Sequence, residues 1–220
     1  MQHILFDLDG TLIDHFTTIT KSVIHTQRTL GLPESNYSTV RNAVGESLPV
    51  TLGKLCGNEK VSLAEPIFCS YFEKNIFDGL FALSGTEWLL KSLNERGDKL
   101  GVFTNKYTRY SQIVLEKLKL STYISKVIGT GEPDCPYRKP NPIFTAYALE
   151  KMDCTSDEAI MIGDSPYDID AAEAGCMKSY LVATGSHSYE ELAKYADKNK
   201  IYKNLYELGE QVFKLNPTKD

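Results

Sequence analysis

The sequence predicts an α/β fold, a doubly wound parallel sheet with a small helical module inserted after its first strand. Three observations lead there. Short apolar runs ending in acidic, hydroxyl or amide residues occur at His3–Asp7 (HILFD), Lys99–Asn105 (KLGVFTN) and Ala159–Asp164 (AIMIGD). Each is too short for a helix and apolar on both faces, as strands of a covered parallel sheet are. Helical periodicity alternates with these runs, the signature of repeated strand–helix units. The stretch between the first two runs is helical throughout and contains no convincing strand.

The elements follow in order. HILFD opens the sheet. After it, Ile19–Leu30, Val40–Leu55 and Ser62–Ile76 read as helices, punctuated by Pro33, Pro49, Gly57 and Pro66. This divides the chain into a sheet domain, residues 1–15 and 84–220, and a helical insertion, residues 16–83. TEWLLKSLNER (Thr86–Arg96) is a helix stopped by Gly97, a residue type suited to the left-handed turn after a helix. KLGVFTN supplies the next strand and Arg109–Leu118 the next helix. KVIGTG (Lys126–Gly131) is a shorter strand candidate, followed by a helix at Pro142–Lys151. AIMIGD, a helix around Ala171–Ala174 and the strand SYLVATG (Ser179–Gly185) complete the pattern. The terminal NPTKD is expected to fray.

Composition narrows the function. The chain has 220 residues, 42% hydrophobic and 24% charged, with a formal net charge of −5. That balance fits one ordinary domain plus an insertion, and it argues against a nucleic-acid groove, for which no dense Lys/Arg patch exists. No apolar stretch approaches the roughly 18–20 residues of a membrane span, and the N-terminus lacks the pattern of a signal peptide. Cys56, Cys69, Cys135, Cys154 and Cys176 are scattered and form no CxxC pair. They read as reduced thiols, so the expected location is cytoplasmic. The expected partner is a small molecule, and the oligomeric state a monomer or homodimer.

Chemistry collects at the C-terminal ends of the strands, the edge where open α/β sheets bind ligands. Asp7 and Asp9 sit in DLDGT, with Asp14 close behind. Neighbouring buried carboxylates repel and desolvate one another, so something positive must receive them. The D-x-D-G-T pattern offers two acids, a glycine for close backbone approach and a hydroxyl: a compact site for a hard divalent cation and a phosphate. Thr104 and Asn105 end the second run, where a following helix start would present free N–H groups to an anion. In YRKPNP, Lys139 is stiffened by the prolines after it, and Arg138 offers the same charge. GDSPYDID carries Asp164 at a strand end, with Asp168 and Asp170 at a helix start, where acids meet the helix dipole favourably. Mg²⁺ is the cation these oxygen ligands suit best.

Taken in order, DLDGT, FTN, RKP and GDSPYD resemble the four motifs of the haloacid dehalogenase-like (HAD) hydrolases, over Ile4 to about Gly185. The helical insertion falls where that superfamily carries a small helical cap. The resemblance implies a Rossmann-like core and Mg²⁺-dependent phosphoryl transfer. Asp7 would be the nucleophile, forming an aspartyl-phosphate, and Asp9 the general acid and then base. The metal would be held by the Asp7 carboxylate, the Asp9 main-chain carbonyl and Asp164. Thr104, the Asn105 backbone and Lys139 would bind phosphoryl oxygens, and Asp168 would orient metal waters or Lys139. Dehalogenases lack the second acid, since a halide leaves without a proton, so Asp9 implies a phosphatase. TNK and the insertion's size resemble the phosphoglycolate phosphatase branch. There Arg41, Gly45 and Glu46 fall in the part of the cap that approaches the site, although solvated helix positions explain them equally. His15 departs from the serine common at its position. A β-phosphoglucomutase-like phosphosugar mutase and a pyrophosphatase share these motifs. A phospho-receiver signalling domain does not share the DxDGT order or the insertion.

Overall fold

The N-terminal run HILF lies at the centre of a six-stranded sheet. In the computed structural model, which describes residues 1–217, the chain begins with β1 (His3–Phe6) and β2 (Ile13–Asp14). Four helices follow: α1 (Phe16–Thr29), α2 (Tyr37–Ala43), α3 (Leu48–Cys56) and α4 (Val61–Lys74). β3 (Phe81–Ala82) and α5 (Thr86–Glu95) lead into β4 (Lys99–Tyr107), α6 (Thr108–Lys117), β5 (Lys126–Thr130) and α7 (Pro142–Met152). The chain closes with β6 (Ala159–Gly163), α8 (Pro166–Ala174), β7 (Lys178–Val182), α9 (Tyr189–Leu192), β8 (Ile201–Tyr202) and α10 (Leu205–Phe213). Of the terminal NPTKD, residues 218–220 lie outside the described residues.

The strand order is β5-β4-β1-β6-β7-β8, all pairs parallel. The chain winds outward from β1 in both directions, so the point where it reverses lies at the C-terminal ends of β1, β4 and β6. Those are the three runs that the sequence ends in polar residues. Alternation along the strands sends Ile4, Phe6, Val102 and Ile162 to one face, against Leu89 and Leu93 of α5 and Leu205 and Leu208 of α10. Leu5, Phe103 and Met161 face the other way, against Phe144 and Ala148 of α7 and Ala171 of α8. Burial of both faces explains why these strands lack the polar alternation of a half-exposed sheet.

The helical stretch leaves and rejoins the sheet through β2 and β3, which pair antiparallel, Ile13 with Ala82 and Asp14 with Phe81. Its inner apolar residues, among them Val40, Leu52, Phe68 and Phe72, join the same continuous cluster as the sheet's first face.

Two expectations are corrected. Val40–Leu55 is not one helix: α2 ends at Ala43 and α3 starts at Leu48. Gly45 between them has φ +122, and Pro49 occupies the first turn of α3, so the backbone cannot run through. Nor do Thr104 and Asn105 start a helix. β4 continues to Tyr107, with an irregularity between Phe103 and Tyr107, and α6 begins only at Thr108. The two-residue strands β2, β3 and β8 are too short for any periodicity to reveal.

Candidate active site

Each acid of DLDGT finds a different partner. Asp7, immediately after β1, donates its N–H to the Ile162 carbonyl of β6 at 2.8 Å, which fixes it at the sheet's centre. Its Oδ1 accepts from Lys139 Nζ at 2.7 Å. Asp9 accepts from Lys106 Nζ through both oxygens, at 2.8 and 3.2 Å. Asp14 stands apart: its Oδ1 accepts from Phe16 N at 3.0 Å and so supports the start of α1. Gly10 has φ +91, and a Cβ there would fall 2.7 Å from both Asp164 Oδ2 and the Gly185 Cα. Only glycine allows this approach.

Asp164, at the end of β6, is buried and fully engaged. Thr11 Oγ1 donates to its Oδ1 at 3.3 Å, while Ser186 donates to its Oδ2 through N at 2.8 Å and Oγ at 3.1 Å. Asp168, in the first turn of α8, accepts at Oδ2 from Asp164 N, Ser165 N and Ser165 Oγ, at 3.1, 3.0 and 2.7 Å. Its Oδ1 accepts from Lys139 Nζ at 2.6 Å. Lys139 Nζ therefore has three acceptors, Asp7, Asp168 and the Phe103 carbonyl at 2.8 Å. It is 1% exposed, whereas the Arg138 side chain is 38% exposed and pairs with Glu46. The choice between the two that the sequence leaves open is thus decided in favour of Lys139 as the inward cation. Asp170 is exposed on α8 and takes no part.

The electrostatics follow from burial. Desolvation raises Asp7 to about 6; Lys139 opposes the rise, and repulsion from Asp168 and Asp9 adds to it. Burial, then repulsion from Asp7 and Asp168, pushes Asp164 well above the ordinary carboxylate range despite the Ser186 hydrogen bonds. Burial works against the Lys139 ammonium, but the charges of Asp168 and Asp7 outweigh it and hold its pKa above the usual value.

Asp7, Asp164 and Asp168 each offer an oxygen within 4.8 Å of the others. Three carboxylates here face one ammonium, a shortfall that a divalent cation would make up. The residues fit such an ion. Asp168 is the least suited of the three, because its Oδ1 binds the Lys139 ammonium and its Oδ2 accepts three hydrogen bonds, whereas Asp7 has an oxygen with no partner and Asp164 Oδ1 accepts only from Thr11.

Thr104 and Asn105 lie in β4 beside this cluster. Thr104 Oγ1 accepts from Lys106 N at 3.3 Å. The Asn105 side chain accepts from Lys139 N at 2.8 Å and donates to the Lys139 and Gly45 carbonyls at 3.2 and 2.9 Å. It thereby holds the lysine's backbone and the α2–α3 loop together. Glu46 of that loop is bound by Lys54, Arg138 and the Tyr167 hydroxyl. Arg41 spans from α2 to the Gly185 carbonyl, 2.7 and 3.1 Å, and the Thr184 carbonyl, 3.2 Å. Gly45 and Glu46 line the chamber over Asp7 and Asp9, and Arg41 does not. His15 is buried: its Nε2 lies 2.7 Å from the Ile76 carbonyl and its Nδ1 lies 3.8 Å from Asp9 Oδ1.

Sequence reasoning missed Ser186 and Lys106 as partners of the site's acids. Lys106 is the last letter of TNK, but nothing in the sequence points to its contact with Asp9. Ser186 lies in a loop beyond β7, with no periodicity to mark it.

A profile of the haloacid dehalogenase-like hydrolases matches residues 4–182. The chain belongs to that family. This HAD-like hydrolase is similar to the phosphoglycolate phosphatase of Vibrio parahaemolyticus, 29% identical with 95% of each chain covered. It is also similar to a candidate pyrophosphatase, PpaX, of Caldanaerobacter subterraneus subsp. tengcongensis, 31% identical over 87% of this chain and 86% of that one. Among solved structures, that of a predicted phosphatase from Clostridium acetobutylicum superposes with a TM-score of 0.88 at 31% identity. It covers 97% of this chain and 99% of its own. No helix of the HAD-like chain, among the described residues, is long and apolar enough to cross a membrane.

Proposed function

We propose that the protein is a Mg²⁺-dependent phosphatase that hydrolyses small-molecule phosphomonoesters through an aspartyl-phosphate on Asp7. The observation that carries the reading is the pairing of Asp7 with Asp9 at the floor of one chamber. One acid is anchored by Lys139 through a single oxygen, and the other is held by Lys106.

Asp7 attacks phosphorus with the oxygen that Lys139 leaves free, and the bond from phosphorus to the leaving oxygen breaks in line. Asp9 gives a proton to that leaving oxygen. It then takes one from the water that cleaves the aspartyl-phosphate, returning Asp7 to its carboxylate. Thr104 and the Asn105 backbone hold the equatorial phosphoryl oxygens; Lys139 adds its positive charge and turns the hydrogen bond it gives Asp7 toward them as the aspartyl-phosphate forms, while Asp168 keeps the lysine in place. Asp7, Asp164 and the Asp9 main-chain carbonyl would hold the Mg²⁺, which when bound supplies positive charge to the phosphoryl group. The helical insertion, residues 16–83, serves as a cap over the chamber, with β2 and β3 as its two crossings. Gly45 and Glu46 are its contribution to the substrate side.

The names of the relatives make 2-phosphoglycolate and pyrophosphate the first compounds to try. The test is phosphate release with Mg²⁺ and with EDTA, by wild type and by Asp7→Asn. Metal-dependent release that vanishes in a folded Asp7→Asn variant is the expected result. Substantial turnover by that variant removes Asp7 as nucleophile.

A further inference from the structure

The space beyond the two acids says what kind of leaving group the site takes, an inference that rests on the phosphatase reading above. The chamber is open to solvent at its mouth, and Asp7 and Asp9 are among its lining residues. Away from Asp7 and Asp9 its wall is built from Val44, Leu48, Phe68, Phe72, Tyr107 and Tyr110. Phe68 and Phe72 stack at 5.5 Å between ring centroids, and Phe72 meets Tyr110 at 5.1 Å.

The charged groups in this wall are already committed. Lys106, the one cation lining the chamber among the described residues, binds both oxygens of Asp9 and lies 5.0 Å from the Phe72 ring centroid. Glu46 is paired with both Lys54 and Arg138, neither of which lines the chamber. The tyrosine hydroxyls are committed too. Tyr107 donates to Glu65, and Tyr110 to Glu73 at 2.6 Å, both acids belonging to α4 and standing outside the lining. Burial and the Glu65 hydrogen bond raise the Tyr107 phenol well above its usual pKa, so it stays a neutral donor.

A substrate carboxylate or second phosphate placed here would meet aromatic rings, with Glu65 and the Glu73–Arg109 ion pair behind them and, among the described residues, no free cation in the lining. Leaving such an anion desolvated and unpaired is costly. An uncharged apolar or aromatic body would instead be buried against six apolar or aromatic side chains.

We infer that the physiological substrates are phosphomonoesters whose leaving group is uncharged and carries an apolar or aromatic body, and that Leu48 and Phe68 set this preference. 2-Phosphoglycolate and pyrophosphate are then poor substrates, although they fit the names of the relatives.

The experiment compares kcat/KM for benzyl phosphate and 2-phosphoglycolate, with pyrophosphate as a third compound, under saturating Mg²⁺. Both esters release an alkoxide-type oxygen, so the comparison reads the body of the leaving group and not its chemistry. Wild type is expected to favour benzyl phosphate by about tenfold or more. Leu48→Lys, which adds a cation to a half-buried wall position, is expected to shift the ratio about tenfold toward 2-phosphoglycolate. Phe68→Leu is expected to lower it through benzyl phosphate alone. The ratio is internal to each protein, so partial misfolding of a variant cancels. Equal or faster cleavage of 2-phosphoglycolate or pyrophosphate by wild type overturns the inference and leaves the phosphatase standing. An indifferent ratio in both variants overturns the role of the two residues. Absence of Mg²⁺-dependent release from all three compounds overturns the phosphatase reading, and this inference with it.

Discussion

Lys139 Nζ and Asp168 Oδ1 lie 2.6 Å apart with both side chains 1% exposed, the most deeply buried ion pair at the site. The same carboxylate also binds both N–H groups of the 164–165 turn, so one residue fixes the lysine and the backbone that carries Asp164. Asp168→Asn keeps the shape but removes the charge that holds the ammonium. Lys139 keeps Asp7 as a counter-charge, so the stability loss is expected to stay below the about 3–5 kcal/mol of a buried charge left unpaired, and losing such an orienting partner costs about 10–100-fold in activity. Urea unfolding and steady-state kinetics on the variant are expected to show both losses. A stable, fully active Asp168→Asn would mean that Lys139 is positioned by Asp7 and the Phe103 carbonyl alone.

Metal binding is expected to raise thermal stability, because Asp7 and Asp164 are held at raised pKa values by burial and mutual repulsion. A ligand at one hundred times its dissociation constant stabilises by about 2.7 kcal/mol, roughly 5–10 °C in Tm for a chain of this size. Melting curves with Mg²⁺ and with EDTA measure this directly. Asp164→Asn should melt at the same temperature in both. A Tm indifferent to Mg²⁺ in the wild type would place the cation elsewhere.

His15 gives the pH dependence a definite sign. Burial, aided by the nearby Lys106 charge, lowers its pKa to about 4, while Asp9 and the Ile76 carbonyl oppose the shift. The unfolded chain takes up this proton near pH 6.5, and the native state only near 4. The stabilisation is therefore complete above pH 6.5 and is lost as pH falls toward 4, by about 3 kcal/mol on this group's account. Asp7 and Asp164 act in the opposite direction, since their raised values make ionisation unfavourable in the fold. The measurement is thus a difference: stability against pH for wild type and for His15→Gln. The wild type should lose more between pH 6.5 and 4. Parallel curves would refute the assignment.

Much of this site was legible because its acids lie where strands end. Asp7 and Asp164 each follow a strand directly, and the parallel topology gathers those ends at one edge beside Thr104 of β4. From its chemistry alone Lys139 was one of two basic neighbours, and only the resemblance of RKP to a family motif singled it out. Adjacent side chains leave the backbone in different directions, and only the folded loop decides which turns inward. Ser186 and Gly185 were not legible: their importance comes from how closely a loop beyond β7 packs on Asp164, where a Cβ at Gly185 would fall 1.8 Å from Oδ2. The break at Gly45 was lost for a similar reason, since the apolar spacing of Val40–Leu55 continues through a loop that is not helical.

Arg41 joins α2 to the loop beyond β7. Its guanidinium holds the Gly185 and Thr184 carbonyls from α2 and lies 5.1 Å from the Phe16 ring centroid. Ser186, the next residue in that loop, supplies two of the three hydrogen bonds to the Asp164 carboxylate. Arg41 thus ties the helical insertion to the loop that supports a candidate metal ligand, without touching the chamber. Hydrogen bonds from a charged group contribute about 1.5–3 kcal/mol, and partial exposure places Arg41 near the lower end. Arg41→Ala is expected to raise KM about tenfold, to weaken the Mg²⁺ response and to speed proteolysis within residues 16–83. Arg41→Lys should restore only part, because one ammonium cannot match the planar fork that meets both carbonyls. If Arg41→Ala lowers kcat with KM, Mg²⁺ response and proteolysis unchanged, the side chain acts on the chemical step and not on closure of the insertion over the site.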